Sequence, residues 1–242
     1  MDTTKSMQSI QTYWNWRATS FDKSSSRQRS WWQVYNQILG RRQKLHILDA
    51  GTGTGFIATG LAENGHTVTG IDLSPVMLKQ ARKATVGKNL NLQFLAADGT
   101  DPPFAPSSFD AIVCRNLLWT LPDPALAIRR WHQILKLGGK LVISDGIWRS
   151  SGLTAKIKQY TRLLSSIMKK GVTNSTPLRF ALAYNSLHSR LPYFNGLHEE
   201  SARELLLNSG FTQPVQHGHL FPRTPYPAEY GSHFFVISAI RQ

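Results

Sequence analysis

Ile47-Leu48-Asp49-Ala50-Gly51-Thr52-Gly53-Thr54-Gly55 is the stretch that decides the fold. It begins inside a short apolar run, Leu45-His46-Ile47-Leu48-Asp49, which reads as a buried strand. It continues as a turn in which glycines alternate with threonines. Glycine lacks a Cβ and accepts positive φ, so backbone at such a turn can approach a ligand closely. Phe56 to Asn64 then reads as a helix ended by Gly65, and the first turn of a helix offers unpaired N–H groups. A dinucleotide-binding turn needs glycines in the order GxGxxG. Here Phe56 stands three residues after Gly53, and the third glycine comes one residue early, at Gly55. A ligand without phosphates fits this loop better than a pyrophosphate.

Outward from the turn, strand and helix patterns alternate. Thr67-Val68-Thr69-Gly70-Ile71-Asp72 is a second strand, and Ser74 with Pro75 behind it caps a helix running to about Ala84. Leu92 to Asp98 and Phe109 to Cys114 are the third and fourth strands. Pro124 to Leu135 is a helix stopped by Gly138-Gly139, and Lys140 to Asp145 is a fifth strand. A helix over Glu199–Ser209 and strands near Thr212–His217 and His233–Ile240 complete the chain. This alternation predicts an α/β domain with a parallel sheet and helices on both faces. The strand ends place Asp49, Asp72, Asp98 and Arg115 on one carboxyl edge, where such folds bind ligands. A carboxylate in the place of Asp72 accepts both hydroxyls of a ribose. An acceptor in the place of Asp98 suits an adenine amino group.

The composition sets the outer bounds. The chain has 242 residues, 41% hydrophobic and 17% charged, which suits one globular domain and excludes a disordered or collagen-like chain. Its one cysteine, Cys114, reads as a buried small residue and makes neither an internal disulfide nor a thiolate metal cluster. No apolar run reaches the roughly 18 residues of a membrane span, and Met1 to Lys5 lacks the apolar core of a signal peptide. A cytoplasmic setting is the expectation. Lys and Arg outnumber Asp and Glu by 28 to 14, a formal net charge of +14. That predicts attraction to an anion: a small molecule, nucleic acid or an acidic membrane surface. The bias is strongest over 146–198, which holds no Asp or Glu but eight Lys or Arg. Within it Leu153, Ile157, Tyr160, Leu164 and Ile167 share a helical face, with Lys156, Lys158 and Arg162 mostly off it.

Four segments carry a resemblance. Asp49 to Gly55, Gly70-Ile71-Asp72-Leu73-Ser74, Ala97-Asp98 and Phe109 to Val113 resemble the successive motifs of class I S-adenosylmethionine-dependent methyltransferases. Leu135-Lys136-Leu137-Gly138-Gly139-Lys140-Leu141 is similar to the turn before that family's fifth strand, with Leu137 where the family usually has proline. The resemblance implies a Rossmann-like sheet of seven strands, mostly parallel. It implies an N-terminal helical cap (1–44), a cofactor-binding core (45–145), and a final helix and hairpin (199–242). Between strands five and six the basic segment 146–198 reads as a helical lid over the site, with a solvated face or a membrane-binding surface as the alternatives. S-adenosyl-L-methionine would be the cofactor and S-adenosyl-L-homocysteine its product. By position, Asp49, Gly51 and Gly53 would hold the methionine part, Asp72 the ribose and Leu73 the adenine face. Asp98 and Gly99 would meet the adenine amine, and the Arg115 main chain the methionine moiety. Tyr13 and Arg17, in the stretch resembling the cap helix, are further cofactor candidates.

Methyl transfer needs a base only where the acceptor holds a proton. Candidates in the insert are Tyr184, His188, Tyr193 and His198. His217 and His219 would share one face of a strand, but no sequence-local carboxylate or cysteine completes a ligand set, so no metal is expected. The Asn-Pro-Pro-Tyr type sequence of many nucleic-acid-modifying members is replaced by Arg115-Asn116-Leu117-Leu118. A small anionic or aromatic acceptor is therefore the leading expectation. RNA or DNA, a lipid or quinone at a membrane surface, and a non-catalytic cofactor-binding role are the alternatives. Monomer and dimer are both left open.

Overall fold

A computed structural model describes residues 3–18, 28–40, 44–147, 161, 165, 168, 190–221, 225–226 and 233–242. Two helices, α1 (Thr3–Arg17) and α2 (Gln28–Leu39), precede the alternating core. The core then runs β1 (His46–Ala50), α3 (Phe56–Glu63), β2 (Thr67–Asp72), α4 (Pro75–Thr85), β3 (Leu92–Ala96), β4 (Phe109–Arg115), α5 (Pro124–Ile134) and β5 (Leu135–Gly146). After it come α6 (Glu199–Asn208), β6 (Phe211–Gln216) and β7 (Phe234–Arg241). The strands form one seven-stranded sheet in the order β3-β2-β1-β4-β5-β7-β6. All neighbours are parallel except β7, which runs antiparallel to both β5 and β6. The expected class I methyltransferase sheet is borne out.

Side chains along a strand alternate between faces, and the two cores follow that rule. Leu48, Ala50, Ile112, Cys114, Leu141 and Ile143 pack with Ala127, Ile128 and Trp131 of α5 and with Ala202 and Leu206 of α6. Ile47, Val68, Ala111, Val113 and Val142 pack on the other face with α2, α3 and α4. Ser74 caps α4 as expected, its Oγ accepting from Met77 N at 3.1 Å.

The fifth strand differs from expectation. It begins at Leu135, directly after α5, because Leu135 pairs with Phe109. The register then jumps to Ala111–Lys140, so the glycine turn at 138–139 is an excursion within the strand. At the far edge β6 also breaks register between Thr212 and Val215, where Gln213 has φ 51° and is followed by Pro214. The proposed lid falls almost wholly outside the described residues. Its described end returns to the sheet through a bridge between Ile147 and Gly196.

Candidate functional site

The chain winds from β1 to β2 and β3 on one side, and to β4 and β5 on the other. The switch point between β1 and β4 leaves a crevice beyond their carboxyl ends. A cleft open to solvent lies there, with about 630 Å³ of empty space when the adjoining solvent is included. Gly51, Gly53, Asp72, Leu73, Asp98, Gly99 and Arg115, all expected from the sequence, line it together. Met7, Ile10, Trp14, Met77, Asn116, Leu117, Thr120, Leu121 and Pro122 complete the wall.

The glycine turn owes its path to positive φ. Gly51 has φ 68°, and a Cβ on it would stand 2.7 Å from Leu117 Cδ1. Gly53 has φ 55° and open space where its Cβ would be, so its backbone is bare toward the cleft. Thr52 N donates to Ile71 O at 2.8 Å, which ties the turn to β2.

Asp72 stands at the end of β2. Its Oδ2 accepts from Gly53 N at 2.9 Å and its Oδ1 from Ser74 N at 2.8 Å. Burial pushes its carboxyl above the usual range, and these two backbone bonds pull it back. A carboxylate has about four acceptor sites, so two further donors, such as a vicinal diol, find lone pairs there.

Asp49 is not among the cleft-lining residues. It shares the sheet face of Ile47, and its carboxylate turns into the loop. There Oδ2 accepts from Thr52 Oγ1 at 2.7 Å and from Ala58 N at 3.1 Å. Ala58 N belongs to the first turn of α3, so Asp49 caps that helix from a distance. Gly55, the local N-cap residue, supplies no side chain for the task. The carboxylate thus fills the place where an anion would meet the helix dipole. A phosphate would have to compete with it, and a cationic ligand would not.

Burial pushes the Asp49 carboxyl up to about 7, against the opposing pull of Thr52, Ala58 N and the Arg115 charge. A carboxyl raised in the folded state stabilises the fold fully below its unfolded value, near pH 4. That contribution is lost as pH climbs to about 7. A shift of this size corresponds to on the order of 4 kcal/mol. We therefore expect the unfolding free energy of the wild type to gain on that of Asp49→Asn as pH falls from 8 to 5. Denaturant titrations of both proteins at several pH values measure this. A difference independent of pH would mean that Asp49 carries no such burden.

The other wall starts from β3 and β4. Asp98 forms a turn, its Oδ1 accepting from Thr100 N at 2.8 Å, and still borders the cleft. Gly99 is fixed by Trp131, whose indole N–H donates to its carbonyl at 2.9 Å. Arg115 continues the Ala111–Val113 row toward α2 and α3. Its guanidinium lies 4.6 Å from the Phe56 ring centre and 5.4 Å from that of Trp31, so only part of the residue faces the cleft. Asn116 takes a left-handed conformation with φ 58°, and its Oδ1 accepts from Tyr226 Oη at 2.9 Å. Strain of this kind gathers at functional edges.

Tyr13 and Arg17 are not among the lining residues. Tyr13 packs with Ile10, Trp119, Leu191 and Phe194 in a third cluster, and the α1 side chains at the cleft are Met7, Ile10 and Trp14. Their i, i+3, i+7 spacing was the available signal. Of the candidate bases, Tyr184 and His188 lie outside the described residues. Tyr193 packs between two core clusters, and His198 precedes α6 with no side-chain cap bond. Neither is among the cleft-lining residues. His217 Nε2 lies 2.8 Å from Ser238 Oγ. Among the described residues no three His, Cys, Asp or Glu side chains form a metal-ligating group. No described helix is long and apolar enough to cross a membrane.

The sheet order and the glycine turn after β1 are those of the class I methyltransferase fold. Residues 48–143 match the family described as the methyltransferase domain, which supports a class I S-adenosylmethionine-dependent methyltransferase. The ubiquinone biosynthesis O-methyltransferase of Xanthomonas euvesicatoria is 29% identical over 147 residues, covering 54% of this chain and 62% of that protein. The enzyme of the same name from Alkalilimnicola ehrlichii is 34% identical over 114 residues, covering 45% of this chain and 44% of its own. The chain thus spans less than two thirds of these curated relatives. In fold it matches a SAM-dependent methyltransferase from Aquifex aeolicus with a TM-score of 0.63 at 16% identity, over 94% of this chain and 98% of that one. It matches a Burkholderia thailandensis 1,6-didemethyltoxoflavin N1-methyltransferase with the same score and identity, over 100% and 91%.

Proposed function

We propose that the protein binds S-adenosyl-L-methionine in this cleft and transfers its methyl group to a small aromatic or anionic acceptor. The observation that carries the reading is the cleft itself. It has a ribose-ready carboxylate at Asp72, a second acceptor at Asp98, and a glycine turn whose helix terminus Asp49 already fills. When bound, the cofactor supplies an activated methyl group. The chain's part is to hold and orient it and to exclude water. Asp72 would take the ribose hydroxyls and Asp98 the adenine amine, with Leu73, Met77 and Leu117 as the apolar walls. Asp49 would set a negative charge behind the loop that meets the cationic end. Asn116, Leu117 and Thr120 stand at the end of β4, beside the place left for an acceptor.

A small aromatic acceptor agrees with the apolar wall of Ile10, Trp14, Leu117 and Leu121 and with the ubiquinone-pathway names of the relatives. The acid-free stretch over 146–198 adds the preference for an anionic group. Reversing Lys156, Lys158 and Arg162 to glutamate is expected to raise the acceptor KM about tenfold while leaving cofactor affinity intact. Unchanged acceptor kinetics would remove that electrostatic role.

Incubation of the protein with methyl-labelled S-adenosyl-L-methionine and fractionated cell extract tests the whole reading. Label in the small-molecule pool is the expected result. Label confined to nucleic acid, protein or lipid would transfer recognition to the basic surface. Cofactor binding without label in any pool would leave a non-catalytic binding protein.

A further inference from the structure

The third core cluster holds α1 through Ile10 and Tyr13 on Trp119, Leu191 and Phe194, with Met7, Trp14, Trp16 and Leu73 partly buried against it. Polar bonds tie α1 to the turn at the cleft as well. Gln11 Nε2 donates to Leu73 O at 2.8 Å. One turn later Asn15 Oδ1 accepts from Ser74 Oγ at 2.6 Å. Both bonds land on consecutive residues of the turn that begins with Asp72. Ser74 is engaged three times, since its N–H donates to Asp72, its Oγ accepts from Met77 N, and its hydroxyl proton goes to Asn15. The adjoining α1 face, Met7, Ile10 and Trp14, lies on the cleft.

We propose that α1 is a clamp on the nucleoside end of the cleft, with Gln11 and Asn15 as its latches. They are positioning residues, acting through Leu73 and Ser74 on the turn that carries Asp72. A nucleoside seated on Asp72 lies beneath Met7, Ile10 and Trp14, so its departure is opposed by both latches. The inference rests on the cofactor reading above and adds that α1 docking sets the release rate.

The chemistry of the latches gives a discriminating test. Asn15→Asp keeps the acceptor that Ser74 needs, whereas Asn15→Leu removes it. Gln11→Glu replaces the donor with an oxygen facing the Leu73 carbonyl. S-adenosylhomocysteine is the probe, its release followed by stopped-flow tryptophan fluorescence, with the unliganded melting temperature of each variant in parallel. Each lost latch is expected to speed release roughly tenfold, the effect of about one hydrogen bond. Association should change far less, and Asn15→Asp should stay within about twofold of wild type. Wild-type release rates in Asn15→Leu and Gln11→Glu would overturn the clamp alone and leave the cofactor reading standing. Equal slowing of association and speeding of release, with a lower melting temperature, would make the two residues merely structural. Absence of binding to the wild type would overturn both proposals.

Discussion

Asp72→Ala is expected to weaken S-adenosylhomocysteine binding by roughly 100-fold or more. Two hydrogen bonds from ribose hydroxyls to a carboxylate are each of the charge-assisted kind, about 1.5–3 kcal/mol. Two such bonds amount to two or more powers of ten in affinity. The same substitution frees Gly53 N and Ser74 N, which Asp72 now accepts, so part of the loss comes from a loosened turn. Asp72→Asn separates the two effects. It can keep one of the backbone bonds, and it turns half of the acceptor group into a donor. Calorimetric titration of all three proteins measures the affinities. Wild-type affinity in Asp72→Ala would remove the ribose from this strand end.

Gly60→Ala should be the most damaging single methyl in the α3 region. An added Cβ would stand 2.2 Å from Trp32 Cδ1 and 2.4 Å from its Nε1. The indole cannot simply swing aside, because its N–H donates to Phe56 O at 2.8 Å. Either α2 moves off α3 or that bond breaks. Overpacking of this kind costs typically about 1–3 kcal/mol, which for a domain of this size lowers the melting temperature by about 3–10 °C. Trp32→Phe in the Gly60→Ala background removes the clashing five-membered ring and should recover part of the loss. Thermal denaturation of the single and double variants tests this, and an unperturbed Gly60→Ala would mean that α2 packs loosely.

Much of this was legible in the residues before any coordinates. The Asp49–Gly55 turn, the strand end at Asp72 and the Ser74-Pro75 helix start each follow from local rules, glycine conformation, strand polarity and capping. They therefore appear where expected. The third strand, by contrast, stops at Ala96, two residues short of the expected Asp98, which forms a turn with Thr100 N. Long-range choices were not legible. Nothing in the composition of α1 says whether Tyr13 or Trp14 turns to the cleft, since both are aromatic and only the docking angle separates them. The resemblance places Asp49 at the methionine part of the ligand. The Asp49 carboxylate also accepts from Ala58 N, nine residues on, where Gly55 offers no side-chain cap. The β5 excursion was hidden because the pairing of Leu135 with Phe109 is a tertiary fact. The wall at Leu117–Pro122 carried no chemical motif at all.

The sheet ends differently on its two sides, and this governs how the chain behaves in a crowded solution. β6 carries Pro214, which has no N–H to offer, and a kink at Gln213, so a second chain cannot extend the ladder there. β3 has neither device, and Leu95 on it is 40% exposed. Protection on that side comes from the neighbouring helix. Lys79, Arg82 and Lys83 of α4 are exposed, and Arg82 donates to the Phe94 carbonyl at 2.8 Å. Cations beside an open edge repel their own image on an approaching copy. The basic character of the chain thus also guards it against aggregation by strand addition, and that protection weakens as added salt screens the charges.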